Sequence, residues 1–503
     1  MKLSSLGMSR ALLRTPGIAW QLGRAGVLGH MAKISLLPNW LIQICMILDY
    51  AMRSKSASKN AGDALCEALV NLGPGFIKLG QALSTRSDLI GPELGIALTK
   101  LQDRLPPFSG LKAKELIVEE TGKSPEDIFA SFDEQSVAAA SIAQVHRAKL
   151  KDGRLVAVKL LRPGIEKRMN SDTTLFYSLA QIFEILAPRL RRLRLVSAVA
   201  QFRQLSEIEL DLRLEAAAGG KLADNMQDDE GIYIPWIDRE NSTRRMLIIE
   251  WIDGIRIDDV DALTKAGHNI GKITEIAASS FFRQVFRDGY FHADMHPGNI
   301  FIRSDGMLVP IDFGIMGFLD FKDRLFLAKL LNALLDRNYE LVAKLHRDAG
   351  MLRDDVSLHL FAQSIRAVTD PMMDKVLGDV SLGIVLGQIL QIANRFEIEV
   401  QTQFNLLQKT MGMAEGVARQ LNPSADMWKL ARPLADDWIK TEAGIKKQAE
   451  IAFEDMLSLL QKIPKLIDSY EQRKIYTKPA VWPSRIAILA LILAILSFFT
   501  NFQ

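Results

Sequence analysis

Cysteine is nearly missing from this chain. Only Cys45 and Cys66 occur in 503 residues, which excludes a disulfide framework and a cysteine-rich zinc site and fits a reducing compartment. Net charge is missing too. The 62 Lys and Arg all but cancel the 59 Asp and Glu, leaving +3, so no global field draws the chain to nucleic acid. Seven histidines are too scattered for a metal cluster, and any metal is expected on oxygen ligands. Internal repeats and low-complexity linkers are absent as well. What is present is 48% hydrophobic and 24% charged, a globular composition, with length for two to four domains at roughly 150 residues each.

Acidic residues are absent from 1–48, where Lys2, Arg10, Arg14, Arg24 and Lys33 stand among Ile18, Trp20, Leu22 and Val27 at helical spacing. Residues 1–59 thus read as a basic amphipathic, membrane-proximal segment suited to anionic lipid; a mitochondrial presequence or an ordinary surface helix are the alternatives. At the other end, Ile486–Phe499 is apolar apart from Ser497. Continued to Gln503 it makes a helix of about 27 Å, enough for a thin bilayer. Arg473, Lys474, Lys478 and Arg485 precede it, with Trp482 at the expected interface. That asymmetry puts the flank on the cytoplasmic side and makes 483–503 a single transmembrane anchor, against the alternative of a buried helix or interfacial hairpin.

Between the ends, helical patterning covers 60–128. Strand patterning follows over 129–252, where Val137–Leu150 and Leu155–Leu160 flank the hairpin signal Asp152-Gly153 and Met246–Glu250 reads as a further buried strand. A long helical region is expected over 253–470. Strands first and helices afterwards predict a bilobal α+β fold.

The sharpest chemistry is His292-Ala293-Asp294-Met295-His296-Pro297-Gly298-Asn299, followed by Ile311-Asp312-Phe313-Gly314. Phosphoryl transfer needs a carboxylate near the attacking oxygen and oxygen ligands for Mg²⁺ on the nucleotide phosphates. H-x-D, an Asn five residues after that Asp, then D-F-G reproduce the catalytic loop and metal-binding turn of protein kinases. Asp294 is then the base or nucleophile positioner, and Asn299 and Asp312 are the metal ligands. Upstream, Val156-Ala157-Val158-Lys159 matches the strand whose lysine meets the α and β phosphates. Its partner should be a glutamate on the next helix, and the acidic run Glu209–Glu215, read as one helix, offers Glu209, Asp211 and Glu215.

Two further absences separate the chain from an ordinary protein kinase. In place of a G-x-G-x-x-G loop it has Ala138-Ala139-Ala140-Ser141, which denies the backbone glycine's freedom and predicts a stiffer nucleotide cover. After Gly314 the sequence IMGFLDFKDRLFLAKLLNALL has no Ser, Thr or Tyr and no A-P-E, so no activation-loop phosphosite or peptide platform is expected, and phosphorylation of proteins in trans is disfavoured.

These motifs, in this order, resemble the UbiB/ADCK family of atypical protein-kinase-like proteins, linked to ubiquinone (coenzyme Q) biosynthesis. Lys78-Leu79-Gly80-Gln81 matches the family's K-x-G-Q motif, followed by fitting Ser84, Arg86 and Asp88; Ala138–Ser141 matches its alanine-rich loop, and Glu209 with Asp211 its E-x-D motif. The resemblance spans roughly residues 60–340. It implies a bilobal protein-kinase-like fold with an N-terminal helical extension (60–128), an N-lobe (129–252), a helical C-lobe and extension (253–470) and a C-terminal transmembrane helix. It implies Mg²⁺ and ATP between the lobes, with Lys159 on the phosphates and held by Glu215, and Glu250, Trp251 and Ile252 presenting hinge backbone to adenine. Lys78 is expected over the cleft beside Glu209 and Asp211, with Gly80 and Gln81 on the same regulatory helix. The implied activity is an ATPase supporting ubiquinone biosynthesis, with a small-molecule kinase or a nucleotide-binding scaffold as rivals. Implied partners are anionic membrane lipids, lipid quinone precursors, other ubiquinone biosynthesis enzymes and a second copy of the chain. A C-terminal anchor favours a bacterial inner membrane over a mitochondrial one.

Overall fold

The structure, a computed structural model, describes residues 13–441 except 32–38, 53–59, 85–91, 100, 102–104, 187–190, 192–193, 374–380, 397, 399–400 and 424–425. The expected anchor at 483–503, the stretch 442–470, and Lys2, Arg10, Lys33, Arg86 and Asp88 lie outside the described residues. Among those described, no helix is long and apolar enough to cross a membrane. The chain divides into two compact units, Met1–Asp436 and Asp437–Gln503, and every element that builds the site belongs to the first.

Helices come first: α1 (Thr15–Arg24), α2 (Val27–Met31), α3 (Asn39–Met52), α4 (Ala61–Leu72), α5 (Pro74–Ser84), α6 (Pro92–Thr99), α7 (Gly110–Thr121) and α8 (Pro125–Ile128). Local chemistry sets the α4–α5 corner. Asn60 caps α4 by accepting the Gly62 N–H at 2.8 Å; Gly73, at φ +104°, ends it, and Pro74 opens α5. α5 then packs closely against its neighbours, because a Cβ on Gly80 would come within 2.7 Å of Leu69 and 2.8 Å of Leu101.

An antiparallel sheet follows, of β1 (Phe129–Phe132), β2 (Ala138–Ala139), β3 (Ala143–Leu150), β4 (Leu155–Leu161) and β5 (Met246–Glu250), in the order β1-β3-β4-β5 with β2 also on β3. The β3–β4 hairpin turns at Asp152-Gly153, with Gly153 at φ +94°, as its sequence predicts. On β4, Val156, Val158 and Leu160 are fully buried against Leu116, Ile117 and Phe129.

The stretch 129–252 is less strand-rich than its patterning suggests. Between β4 and β5 stand α9 (Ile165–Leu186), α10 (Leu195–Glu209) and α11 (Leu212–Met226). Ile165, Met169, Phe176 and Ala180 are buried at helical spacing along α9, and Phe176 meets Phe76 of α5 edge-on at 4.9 Å. Nor is 253–470 helical throughout. β6 (Ile255–Arg256), α12 (Val260–Lys265), α13 (Ile270–Arg283), β7 (Tyr290–His292), β8 (Ile300–Ile302), β9 (Leu308–Pro310) and β10 (Met316–Phe318) follow, and the strands among them form two small sheets, β6-β8-β9 and β7-β10. These strands are three residues or shorter, below the length at which alternation is readable. Then come α14 (Phe321–Leu335), α15 (Tyr339–Asp348), α16 (Leu358–Met373), α17 (Leu382–Arg395), α18 (Thr402–Leu421) and α19 (Met427–Thr441). One apolar core runs from Phe76 and Ile77 of α5 through Leu212 and Ala216 of α11 and Phe313 to Val417 of α18.

Two core histidines make stability depend on pH. The Gln144 amide donates to His146 Nε2 at 2.7 Å, so His146 Nδ1–H donates to the Asp133 carbonyl at 2.8 Å. His346 sits between Phe326 and Phe361 with Nδ1 on the Val342 carbonyl at 2.8 Å. Burial pushes both below the ordinary 6.5. The unfolded chain therefore takes up protons that the folded chain refuses. Stability should be full above the unfolded pKa and should fall below it, by up to about 1.4 kcal/mol per pH unit for each histidine. Chemical unfolding between pH 7.5 and 5.5 checks this: His346→Phe should flatten the slope, and an unchanged slope would remove His346 from the account.

Candidate nucleotide site

Strand alternation decides where Lys159 points. With Val156, Val158 and Leu160 committed to one face of β4, Lys159 projects from the other. There its Nζ donates to Glu215 Oε1 at 2.7 Å and Oε2 at 3.0 Å, and Asp312 Oδ2 lies at 3.6 Å. Burial alone would lower the Lys159 pKa, but the carboxylates of Asp312 and Glu215 outweigh it and raise it. The lysine stays charged.

The acidic run that carries Glu215 is not one helix. α10 ends at Glu209 and α11 begins at Leu212, with Asp211 as N-cap between them. Asp211 accepts the Arg213 N–H at 3.2 Å and pairs with the Arg213 guanidinium at 2.7 Å. A short carboxylate competes for nearby backbone N–H groups, which favours a helix start over a helix interior. The break sends the three carboxylates to different partners. Glu215 meets Lys159, Asp211 meets Arg213, and Glu209 takes Lys78 at 2.9 Å. Lys78, expected between Glu209 and Asp211, is thus paired with Glu209. On the same helix, buried Gly80 makes the close approach described above, and the Gln81 carbonyl accepts the Ser84 hydroxyl at 2.6 Å.

Asp312 and its neighbours are locked from two sides. Phe313 is fully buried against α11, where a Cβ on Gly219, one turn beyond Glu215, would come within 2.7 Å of its ring. Asp312 Oδ1 accepts the Gly314 N–H at 2.9 Å, and its side chain remains 42% exposed. Burial works against the Asp312 charge, but Lys159, the Gly314 N–H and Lys78 together hold its pKa below the usual carboxylate range.

His292 joins the segment that carries Asp294 to the one that carries Asp312. Its Nδ1 accepts the Asp294 N–H at 3.1 Å, so Nε2–H donates to the Asp312 carbonyl. Burial keeps its pKa below 6.5 and the ring neutral, as this pattern needs. The Gln284 side chain accepts the His292 N–H at 2.9 Å. Asp294 follows with its carboxylate about one-third exposed. The Asn299 N–H donates to the His296 carbonyl at 2.9 Å, and its own carbonyl accepts the Ile311 N–H at 3.0 Å, pinning it beside the residue that precedes Asp312.

The cover and the hinge are also formed. β2 and β3 make a hairpin over Ala138–Gln144, closed by the Ala140 N–H on the Ala143 carbonyl at 2.8 Å. No residue of this turn has positive φ, which is why alanine and serine suffice. Ser141 is fully buried. Arg162 clamps the Ala140 carbonyl at 2.8 and 3.0 Å and reaches the carbonyls of Leu105 and Pro106. At the hinge, the Glu250 carboxylate accepts the Tyr233 hydroxyl at 2.6 Å and the Trp236 N–H at 3.1 Å. The Trp251 N–H is engaged by the Leu155 carbonyl at 3.0 Å, inside the sheet rather than toward adenine, and Ile252 follows it.

Asn299 and the partly exposed Asp312 carboxylate, whose charged form is favoured, fit Mg²⁺, which takes few protein oxygens and completes its shell with phosphates and water. Among the described residues no group of three or more His, Cys, Asp and Glu could hold a metal. Sequence reasoning missed Gly219, Gln284, Arg162 and two residues of α18. Thr410 Oγ1 lies 3.0 Å from the carbonyl of Ala293, 117 residues away, and Lys409 Nζ lies 3.9 Å from Asp294 Oδ1. The glycine pair in α11 was a visible signal; contacts at such separation leave none.

Comparison with known proteins places this geometry. Residues 100–346 match the ABC1 atypical kinase-like domain, and residues 365–426 the UbiB helical domain. A Marinobacter nauticus protein named probable protein kinase UbiB is 43% identical over 387 residues, covering 76% of this chain and 71% of that one. A Vibrio cholerae protein of the same name is 40% identical over 434 residues, covering 84% and 79%. A solved Mycobacterium tuberculosis structure, the Rv3197–erythromycin complex, is 26% identical with a TM-score of 0.49, covering 74% of this chain and 95% of that one. The matched domain makes the mixed helix-and-sheet fold kinase-like.

The stiff alanine hairpin leads to a direct test. Ala139→Gly restores roughly 0.5–1 kcal/mol of backbone freedom and should change the ratio of ATP to ADP affinity several-fold in titration calorimetry. Unchanged affinities for both nucleotides would show that hairpin stiffness does not set nucleotide preference.

Proposed function

Because the chain belongs to the family of UbiB-type, ABC1 atypical kinase-like proteins, we propose that it is a Mg²⁺-dependent ATPase of the phosphotransferase type that supports ubiquinone biosynthesis. The observation that carries the reading is the closed Lys159–Glu215–Asp312 constellation beside neutral His292 and open Asp294. Charged Lys159 orients the α and β phosphates, and Glu215 fixes where that charge stands. Asp312 and Asn299 would hold Mg²⁺, which when bound neutralises phosphate charge. Asp294 positions water and takes its proton. The water oxygen bonds to the γ-phosphorus, the bond to the β–γ bridging oxygen breaks, its electron pair leaves with ADP, and the proton passes on to solvent.

α5 makes water or a small hydroxyl a better acceptor than a peptide. It is braced against α4, α6 and α9 and holds Lys78 on Glu209, in space a peptide would need. We extend the proposal to the membrane: 483–503 anchors the chain in a bacterial inner membrane with the catalytic unit cytoplasmic, and 1–59 meets anionic lipid. ATP turnover then extracts lipid quinone precursors or presents them to other ubiquinone biosynthesis enzymes, with a second copy of the chain as a further partner.

ATP hydrolysis by the full chain in anionic-lipid vesicles, with and without a phenolic quinone precursor, tests this reading, with products resolved by mass. Phosphate release should rise with lipid or phenol and fall at least about 100-fold in Asp312→Asn, with no phosphorylated organic product. A phosphorylated precursor would make the chain a small-molecule kinase; binding without turnover would make it a scaffold. Full quinone production by a folded chain lacking 483–503 would overturn the membrane step.

A further inference from the structure

The two contacts that α18 makes behind and beside the catalytic loop have no counterpart in the motifs. Thr410 is fully buried, with its hydroxyl 3.0 Å from the Ala293 carbonyl and 2.8 Å from its own Leu406 carbonyl. Ala293 directly precedes Asp294, and its N–H is held by the Ile315 carbonyl at 3.0 Å. α18 is tied down again where Gln403 donates to Asp323 at 3.1 Å, and it packs along α13. With Thr410 fixing the register of the helix, the adjacent Lys409 faces the catalytic carboxylate. Among the described residues, this is the ion pair that Asp294 makes.

The pair has an unusual geometry for a structural salt bridge. Nζ and Oδ1 are 3.9 Å apart, and the lysine is 38% exposed. An exposed pair at that separation contributes little to stability. What it leaves is a partly exposed ammonium beside the partly exposed carboxylate at which, on the proposed reading, the acceptor stands. Phosphoryl transfer spreads negative charge over the equatorial oxygens, and a cation there stabilises the transition state strongly. Among the described residues, Lys159 is paired with Glu215 and Asp312, and Lys78 with Glu209.

We propose that Lys409 is a further catalytic residue, a cation delivered from the helical domain to the γ-phosphoryl group at Asp294. This rests on the reading of the cleft as a nucleotide site and adds to it the source of the missing positive charge. It also makes turnover depend on the seating of α18, since displacing that helix by an ångström or two withdraws the ammonium.

The experiment compares Lys409→Met, Lys409→Arg and Asp294→Asn in the full chain. It measures steady-state ATP hydrolysis and equilibrium binding of ADP and of a non-hydrolysable triphosphate analogue. Lys409→Met should lower kcat about 30-fold or more, weaken the triphosphate about 10-fold and leave ADP within twofold; Lys409→Arg should recover most of the loss. Turnover within threefold of the parent in Lys409→Met, with Asp294→Asn inactive, would overturn this inference alone. Equal weakening of both nucleotides together with lower thermal stability would assign Lys409 a packing role and also overturn it. A chain that binds but never hydrolyses still decides the question through the triphosphate-to-diphosphate comparison. A parent chain that binds neither nucleotide, or an Asp294→Asn variant that hydrolyses normally, would bring down the reading of the site itself.

Discussion

A lysine ammonium taken largely out of water needs carboxylates around it, and much of this structure can be understood as the means of keeping them there. Lys159 pairs with both oxygens of Glu215 at 2.7 and 3.0 Å and faces Asp312 at 3.6 Å. Such a pair is tolerated only where the geometry is good and the remaining lone pairs are satisfied, because desolvation otherwise exceeds the Coulombic gain. Different elements supply the geometry. β4 supplies the side from which the lysine projects, and the Asp211 cap sets the phase of α11. Gly219 then admits the Phe313 ring, which seats Asp312.

The second constraint is the coupling of the two loops that hold Asp294 and Asp312. A neutral His292 accepts from one loop and donates to the other, so neither moves without the other. This requires a dry pocket, because a protonated ring could not accept the Asp294 N–H. The pocket is closed from behind by Gln284 and by α18 through Thr410. The helical segment matched to the UbiB helical domain is therefore in contact with the loop that carries Asp294. Elsewhere Lys78 ties α5 to the end of α10, and the Arg162 clamp ties Leu105 and Pro106 to the hairpin cover.

Much of the site was legible because its chemistry is local. The hairpin at Asp152-Gly153 needs only a residue with positive φ at the turn, and the loop His292–Asn299 and the Asp312-Phe313-Gly314 turn carry their residue types at fixed offsets. The fold was legible more coarsely. Helix α9 and most of α10 and α11 were hidden inside a stretch read as strand-rich around one acidic helical run, because short apolar runs have the same composition in either state. The acidic run Glu209–Glu215 misled for a related reason. Helical spacing of carboxylates is compatible with one helix or with two, and only the Asp211 side chain on the Arg213 N–H distinguishes them.

What the sequence by itself determined is the set of groups available to the reaction and the secondary structure that short-range rules enforce: Lys159 at its place in a buried strand, the order of Asp294, Asn299 and Asp312, and an alanine turn that uses no positive φ. Tertiary structure decided which charges meet. Glu215 rather than Glu209 or Asp211 took Lys159, Lys78 went to Glu209, and Lys409 arrived at Asp294 from the far side of the chain. Charge pairing depends on distance in space and on the dielectric around the pair. Neither quantity exists until the helices have packed.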